Sequence, residues 1–213
     1  MIIIVPSLLA ADFARLGGKL KFIREAGASM VHVDVMDGHF VPELSVGQPV
    51  IKSLRKATDL LLDLHLLVER PERYIKEFIE AGAGRVAIHA EATPNLRKAL
   101  SDIREGGAQA GLALNPATSV ESVAEVLGDI DFLLILASDV GFAKSSFLPG
   151  TVGKIETARI LRQKRQLDFA IQVEGRLAEE HIDVLDRAGA DILVAGSDIF
   201  QKGSPNRWME LMR

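Results

Sequence analysis

The chain contains no cysteine. That excludes disulfides and thiolate metal sites, and it suits a reducing compartment such as the cytoplasm. It has no block of basic residues: 25 Lys and Arg face 29 Asp and Glu, a formal net charge of -4. A nucleic-acid partner is not expected from such a balance. No run approaches the roughly 18 apolar residues that a membrane span needs, so no membrane partner is expected either. The apolar start, Met1 to Ala11, lacks a positive leader, is interrupted by Pro6 and Ser7 and ends at Asp12. It reads as a buried strand rather than a signal peptide. No low-complexity segment or linker divides the 213 residues, and the whole chain is expected to form one domain.

What is present is a series of eight short apolar runs: Ile2–Val5, Met30–Val35, Leu60–Leu67, Val86–Ile88, Ala110–Leu114, Phe132–Leu136, Phe169–Val173 and Ile192–Val194. Most are rich in Val, Ile or Leu, as strands buried on both faces should be. Helical patterns such as Phe13–Glu25 and Glu72–Glu80 lie between them. This alternation predicts parallel βαβ units. Gly27, Gly82 and Gly189 each stand in Ala-Gly-Ala just before a strand, and Gly107 stands likewise in Gly-Gly-Ala. Glycine there ends a helix in the left-handed conformation. Gly82 and Gly107 are 25 residues apart, and 213 residues shared among eight units gives about 27 each. Eight such units close a (β/α)8 TIM barrel. The rival is an open doubly wound sheet, which usually carries a glycine-rich loop after its first strand. Here that position reads Pro6-Ser7-Leu8-Leu9, which disfavours it.

In such a barrel the chemistry sits at the carboxyl ends of the strands. His32 and Asp34 are two residues apart and so share a strand face. If that face is the barrel interior, His65 on the next strand and Glu174 on strand 7 can join them. Two imidazoles and two carboxylates would make a divalent-metal site with open positions; the alternative is a set of buried polar groups satisfied by hydrogen bonds. Asp63 shares the face of His65 but lies deeper, outside the expected ligand set. His89 either lines the pocket or is a satisfied strand-end histidine. His39, in a loop, and His181, in a polar helix, are expected to be structural. A phosphate site is suggested by Gly196-Ser197, where a strand meets a short helical turn, with Gly175 and Gly141 supplying neighbouring rim loops.

These residues resemble the ribulose-phosphate 3-epimerase family over essentially the whole chain. The strongest pieces are Pro6-Ser7-Leu8-Leu9-Ala10-Ala11-Asp12-Phe13 and the run from His32 through Asp37-Gly38-His39-Phe40-Val41-Pro42. Asp63-Leu64-His65-Leu66, Leu114-Asn115-Pro116-Ala117-Thr118 and Val194-Ala195-Gly196-Ser197 support them. The resemblance implies a barrel of the ribulose-phosphate-binding type. It also implies one divalent metal ion (Zn, Fe, Mn or Co) on His32, Asp34, His65 and Glu174, with Asp34 and Glu174 as the acid/base pair. Ser7 and His65 would contact substrate and Met36 would help floor the site. The phosphate would rest near Gly141, Gly175, Gly196 and Ser197.

The implied reaction inverts carbon 3 of a ketose phosphate, D-ribulose 5-phosphate to D-xylulose 5-phosphate, in a homo-oligomer. Departures from the family pattern stand at Glu174-Gly175-Arg176, where the family reads D-G-G, and at Asp139 to Ser145, where it reads N-P-G-F-G-G-Q. Leu67 and Leu136 stand where the family usually has Met. Lys144 and Arg176 are the two cations these changes introduce, and at least one of them is expected to reach the anionic end of the substrate. The competing readings are an epimerase of a hexulose 6-phosphate, a barrel lyase or decarboxylase, and a sugar-phosphate-binding relative without turnover.

Overall fold

A computed structural model describes residues 2–139, 141, 145–200 and 207–212. The eight apolar runs become eight parallel strands: β1 (Ile3–Pro6), β2 (Met30–Met36), β3 (Leu61–Leu67), β4 (Arg85–His89), β5 (Gln109–Leu114), β6 (Phe132–Leu136), β7 (Ala170–Glu174) and β8 (Ile192–Ala195). Each pairs with its sequence neighbour from β2 to β8, and β8 pairs with β1. A parallel bridge between Ser7 and His32 links the end of β1 to β2, so the ring is a (β/α)8 TIM barrel.

Helices α1 (Leu16–Glu25), α2 (Gln48–Ala57), α3 (Ile75–Glu80), α4 (Leu96–Glu105), α5 (Thr151–Lys164) and α6 (Ile182–Ala188) lie outside it, with short α7 (Ser197–Phe200) and α8 (Arg207–Leu211) after β8. A 3-10 stretch, Glu121–Asp129, replaces a helix between β5 and β6. The helical pattern Phe13–Glu25 is divided: Asp12 caps the Ala14 N–H at 3.0 Å and starts a 3-10 turn before α1. Glu72–Glu80 is divided in the same way, by a 3-10 turn at Pro71–Arg73 ahead of α3. Gly27, Gly82, Gly107 and Gly189 all have positive φ, as the repeat predicted.

Strand alternation sorts the apolar residues into two cores. Val31, Val33 and Val35 of β2 join the layer between strands and helices. Their alternates point into the barrel, where Val5, Met30, Ile192 and Val194 form one plug. Ala87, Ala113, Phe132 and Leu134 form another. Small residues on β4 and β5 leave room for the Phe132 ring and for Arg85, whose guanidinium lies 3.8 Å from the ring centroid. Apart from Arg85, the polar residues of the interior lie above this plug, toward the carboxyl rim.

Candidate active site

Period-2 alternation lifts Asp34, His65, His89 and Glu174 to the rim layer, with His32, Asp63 and Gln172 one layer below. The β2–β3 register sets Asp34 opposite His65 and His32 opposite Asp63. His32, Asp34, His65 and Glu174, all buried, each offer one ligand atom within 4.8 Å of the others. His32 Nε2 lies 3.3 Å from Asp34 Oδ1 and 3.2 Å from Glu174 Oε2. His65 Nδ1 lies 3.2 Å and 2.9 Å from the same two oxygens. Two atoms that each sit about 2.1 Å from a shared ion are separated by about 2.9–3.4 Å at right or tetrahedral angles. The four spacings fall in that interval, so the group can hold a metal ion. Two of its atoms, His32 Nε2 and Glu174 Oε2, are buried without a hydrogen-bond partner, as atoms suited to ligate a metal ion would be.

The charges agree with that geometry. Burial works against a charged His65, but Glu174 and Asp34 outweigh it and hold the imidazole up at about 9. The same contest, with Glu174 and Asp34 prevailing, holds His32 well above the ordinary histidine value. Asp34, despite its own burial, is held well below the ordinary carboxylate range by the two imidazoles. The two carboxylates thus make a field that demands positive charge between them.

The groups of this cluster are held from behind. Ser7 Oγ donates to Asp34 Oδ2 at 3.1 Å, leaving Oδ1 for the centre. Asp63 Oδ2 sits 2.7 Å from His32 Nδ1 and accepts from Gln172 Nε2 at 2.8 Å. Burial resists its charge, yet Arg85, with Nε 3.6 Å from Oδ1, and the His32 and Gln172 contacts hold it down to about 2. A carboxylate that accepts from Nδ1 leaves the Nε2 lone pair of His32 facing the centre. Asp63 stands outside the set of four, as expected, but level with His32; its hold on His32 is not legible in the sequence. Gln172 and Arg85 were also missed. Gln172 stands two residues before Glu174, so alternation alone could have placed it in the barrel.

The rim opens into a cleft of about 390 Å³, lined among others by Ser7, Asp34, Glu174, Gly175, Arg176 and Ser197. Gly141, Gly196 and Ser145 also border it. Gly175 has φ of 109°, and a Cβ there would lie 2.5 Å from Ser138 Oγ, so this turn needs glycine. Arg176 is exposed at the cleft edge, with Nε 3.4 Å from Ser145 Oγ. Lys144 lies outside the described residues.

Met36 does not line the cleft but packs with Val41 and Leu67 beside it. His65 is likewise enclosed, and only its Nδ1 edge faces the cleft-lining carboxylates. His89 is buried and satisfied, with Nε2 2.8 Å from His65 Nε2 and Nδ1 3.1 Å from Glu91 Oε2. Burial lowers it to about 4. His39 is exposed in its loop. His181 closes a 3-10 turn rather than sitting inside a helix; it accepts the Ala178 N–H and stacks on Phe147 at 3.9 Å.

A profile of the Ribulose-phosphate 3 epimerase family matches residues 3–200. The chain belongs to that family. It is 41% identical over 201 residues to the ribulose-phosphate 3-epimerase of Bacillus subtilis (strain 168), covering 94% of this chain and 93% of that protein. To the ribulose-phosphate 3-epimerase of Synechocystis sp. it is 41% identical over 207 residues, covering 96% and 89%. Among solved structures it resembles one of KGPDC from Streptococcus mutans, with a TM-score of 0.73 at 14% identity over 99% of this chain and 95% of that one. Orotidine 5'-phosphate decarboxylase from Pyrococcus horikoshii OT3 gives 0.67 at 16% identity, over 100% and 97%. At these identities the structural likeness establishes the barrel fold alone. Among the described residues no helix is long and apolar enough to cross a membrane.

Proposed function

We propose that the chain inverts carbon 3 of a ketose phosphate, with D-ribulose 5-phosphate and D-xylulose 5-phosphate as the pair interconverted. The observation that carries this reading is the meeting of two carboxylates, Asp34 from β2 and Glu174 from β7, at one imidazole-lined point on the cleft. Inverting a carbon beside a ketone requires a proton taken from one face and another delivered to the opposite face. Strands β2 and β7 are three steps apart around the ring, so their carboxylates can flank a flat intermediate. One carboxylate accepts the proton and the other donates, and the roles exchange in the reverse direction. His32, Asp34, His65 and Glu174 would hold a divalent ion, which would supply Lewis acidity to stabilise the negative charge of the flat intermediate. Such a ligand set suits Zn, Fe, Mn or Co alike.

Ser7 holds Asp34 in place and borders the cleft. Gly141, Gly175, Gly196 and Ser197 border one side of the cleft, and in this reading their backbone receives the phosphate, with at least one of Arg176 and Lys144 as its cation. A homo-oligomer in the cytoplasm is the assembly and location we infer with this activity.

The test joins metal analysis to turnover on a panel of ketose phosphates in deuterated water. The expected result is deuterium at carbon 3 of xylulose 5-phosphate formed from ribulose 5-phosphate. Labelling of a hexulose 6-phosphate in its place would move the substrate. Carbon–carbon cleavage would indicate a lyase, and binding without label a protein that holds sugar phosphates only.

A further inference from the structure

Behind His65, on the side away from the cleft, stands a second imidazole. His89 ends β4, is fully buried, and its ring lies 5.0 Å from that of His65 at 29°. The two Nε2 atoms are 2.8 Å apart. Beyond His89, Nδ1 meets Glu91 Oε2 at 3.1 Å. Glu91 is anchored in turn: Oε1 accepts the Asn115 N–H at 2.9 Å and the Thr118 hydroxyl. Lys154 from α5 donates to the carbonyls of Asn115 and Pro116 at 2.9 Å each. Neither His89 nor Glu91 borders the cleft, so neither is placed to touch a substrate.

The protons in this row are fixed by elementary rules. An ionised carboxylate only accepts, so the proton between Glu91 and His89 belongs to His89 Nδ1. A neutral imidazole carries one N–H, which leaves His89 Nε2 a bare lone pair. The hydrogen bond between the two Nε2 atoms must then be donated by His65. With its proton on Nε2, a neutral His65 has a bare Nδ1, the atom that faces Asp34 Oδ1 and Glu174 Oε2. We propose that Glu91 and His89 are positioning residues, a relay that fixes His65 as its Nε2–H tautomer so that Nδ1 is offered to the metal ion. His32 gets the same service from Asp63 in one step. His65 gets it in two, from a carboxylate held by the loop after β5. The proposal rests on the reading of His32, Asp34, His65 and Glu174 as metal ligands.

Two measurements test it. In the full chain loaded with zinc, nitrogen NMR of labelled histidines should show His65 protonated at Nε2 and metallated at Nδ1, with His89 protonated at Nδ1. His65 metallated through Nε2, or His89 protonated at Nε2, would overturn the relay without any variant being made. Zinc affinity is then measured by competition with a chromophoric chelator. Removing an outer hydrogen-bond partner of a metal-bound histidine typically weakens binding by about 10–100-fold. That loss is expected for His89→Phe, which keeps an aromatic ring but accepts no hydrogen bond. Substantial recovery is expected for His89→Gln, whose side-chain carbonyl can accept from His65 Nε2–H. Equal affinity in His89→Phe and the parent chain would reject the relay alone. A parent chain that takes up no zinc would reject the metal reading and the relay with it.

Discussion

The rim over β2 to β4 and the rim over β6 to β8 are built differently. On the first, the polar groups project from within strands and are buried: register sets Asp34 opposite His65 and His32 opposite Asp63, and His65 meets His89, which lies two residues beyond its register partner Ala87. On the second, most of the groups bordering the cleft lie just past the strand ends, on turns or at the start of α7. Gly175, Gly196 and Ser197 offer backbone, and Arg176 is exposed. Glu174, the last residue of β7, joins the two regimes, and Gln172 below it reaches across to Asp63. A metal centre needs atoms placed to within tenths of an ångström, and strands hold side chains that tightly. An anion can be gripped by N–H groups and a mobile cation, so turns suffice.

Replacing a strand-borne group should therefore cost most. On the proposed roles, Asp34→Asn would remove one proton-transfer group and weaken a ligand, and we expect turnover to fall by about 10²–10⁴-fold or more with the fold kept. Near-normal turnover, with an unchanged circular dichroism spectrum, would remove Asp34 from the chemistry. Glu174→Asp tests the residue that joins the two rims. Its carboxylate would withdraw by about one methylene, and a misplacement near 1 Å is expected to lower kcat by about 10²-fold. Unaltered kcat would mean that the centre adjusts freely, contrary to a strand-fixed geometry.

On the turn-built rim a milder outcome is expected. Arg176→Ala and Lys144→Ala should, in at least one case, raise KM by about 10-fold for the best ketose phosphate while leaving kcat near the parent value, as for uniform anion binding. Both constants unchanged in both variants would leave the two cations without a role.

The smallest effect concerns the loop after β2. Asp37 Oδ1 accepts from the His39 and Phe40 N–H groups, and Oδ2 from the Glu69 N–H at 2.9 Å. Partial burial opposes its charge, but these three bonds prevail and hold Asp37 below its ordinary value. A depressed folded value means that its contribution is complete above about pH 4 and is lost as pH falls through the lowered value. Protection of the Phe40 and Glu69 amides from hydrogen exchange should drop below that point and hold at pH 5. Identical protection factors at pH 5 and at the acid end would show that Asp37 does not organise the loop.

The sequence alone determined the strands, their parallel order and the face that carries the chemistry. These are local properties: apolar runs, helix-ending glycines and the two-residue step from His32 to Asp34 follow from the chain's own periodicity. Which group stands behind which was decided only in the folded barrel. His32 and Asp63 are 31 residues apart, and His65 and His89 are 24 apart. Their contacts depend on inter-strand register and on the small residues of β4 and β5 that leave Arg85 and Phe132 space in the interior. Met36 shows the same limit. Alternation puts it on the face of Asp34, yet it packs with Val41 and Leu67 rather than in the cleft. Periodicity fixes the face on which a side chain emerges, but the packing of neighbouring elements decides what it meets there.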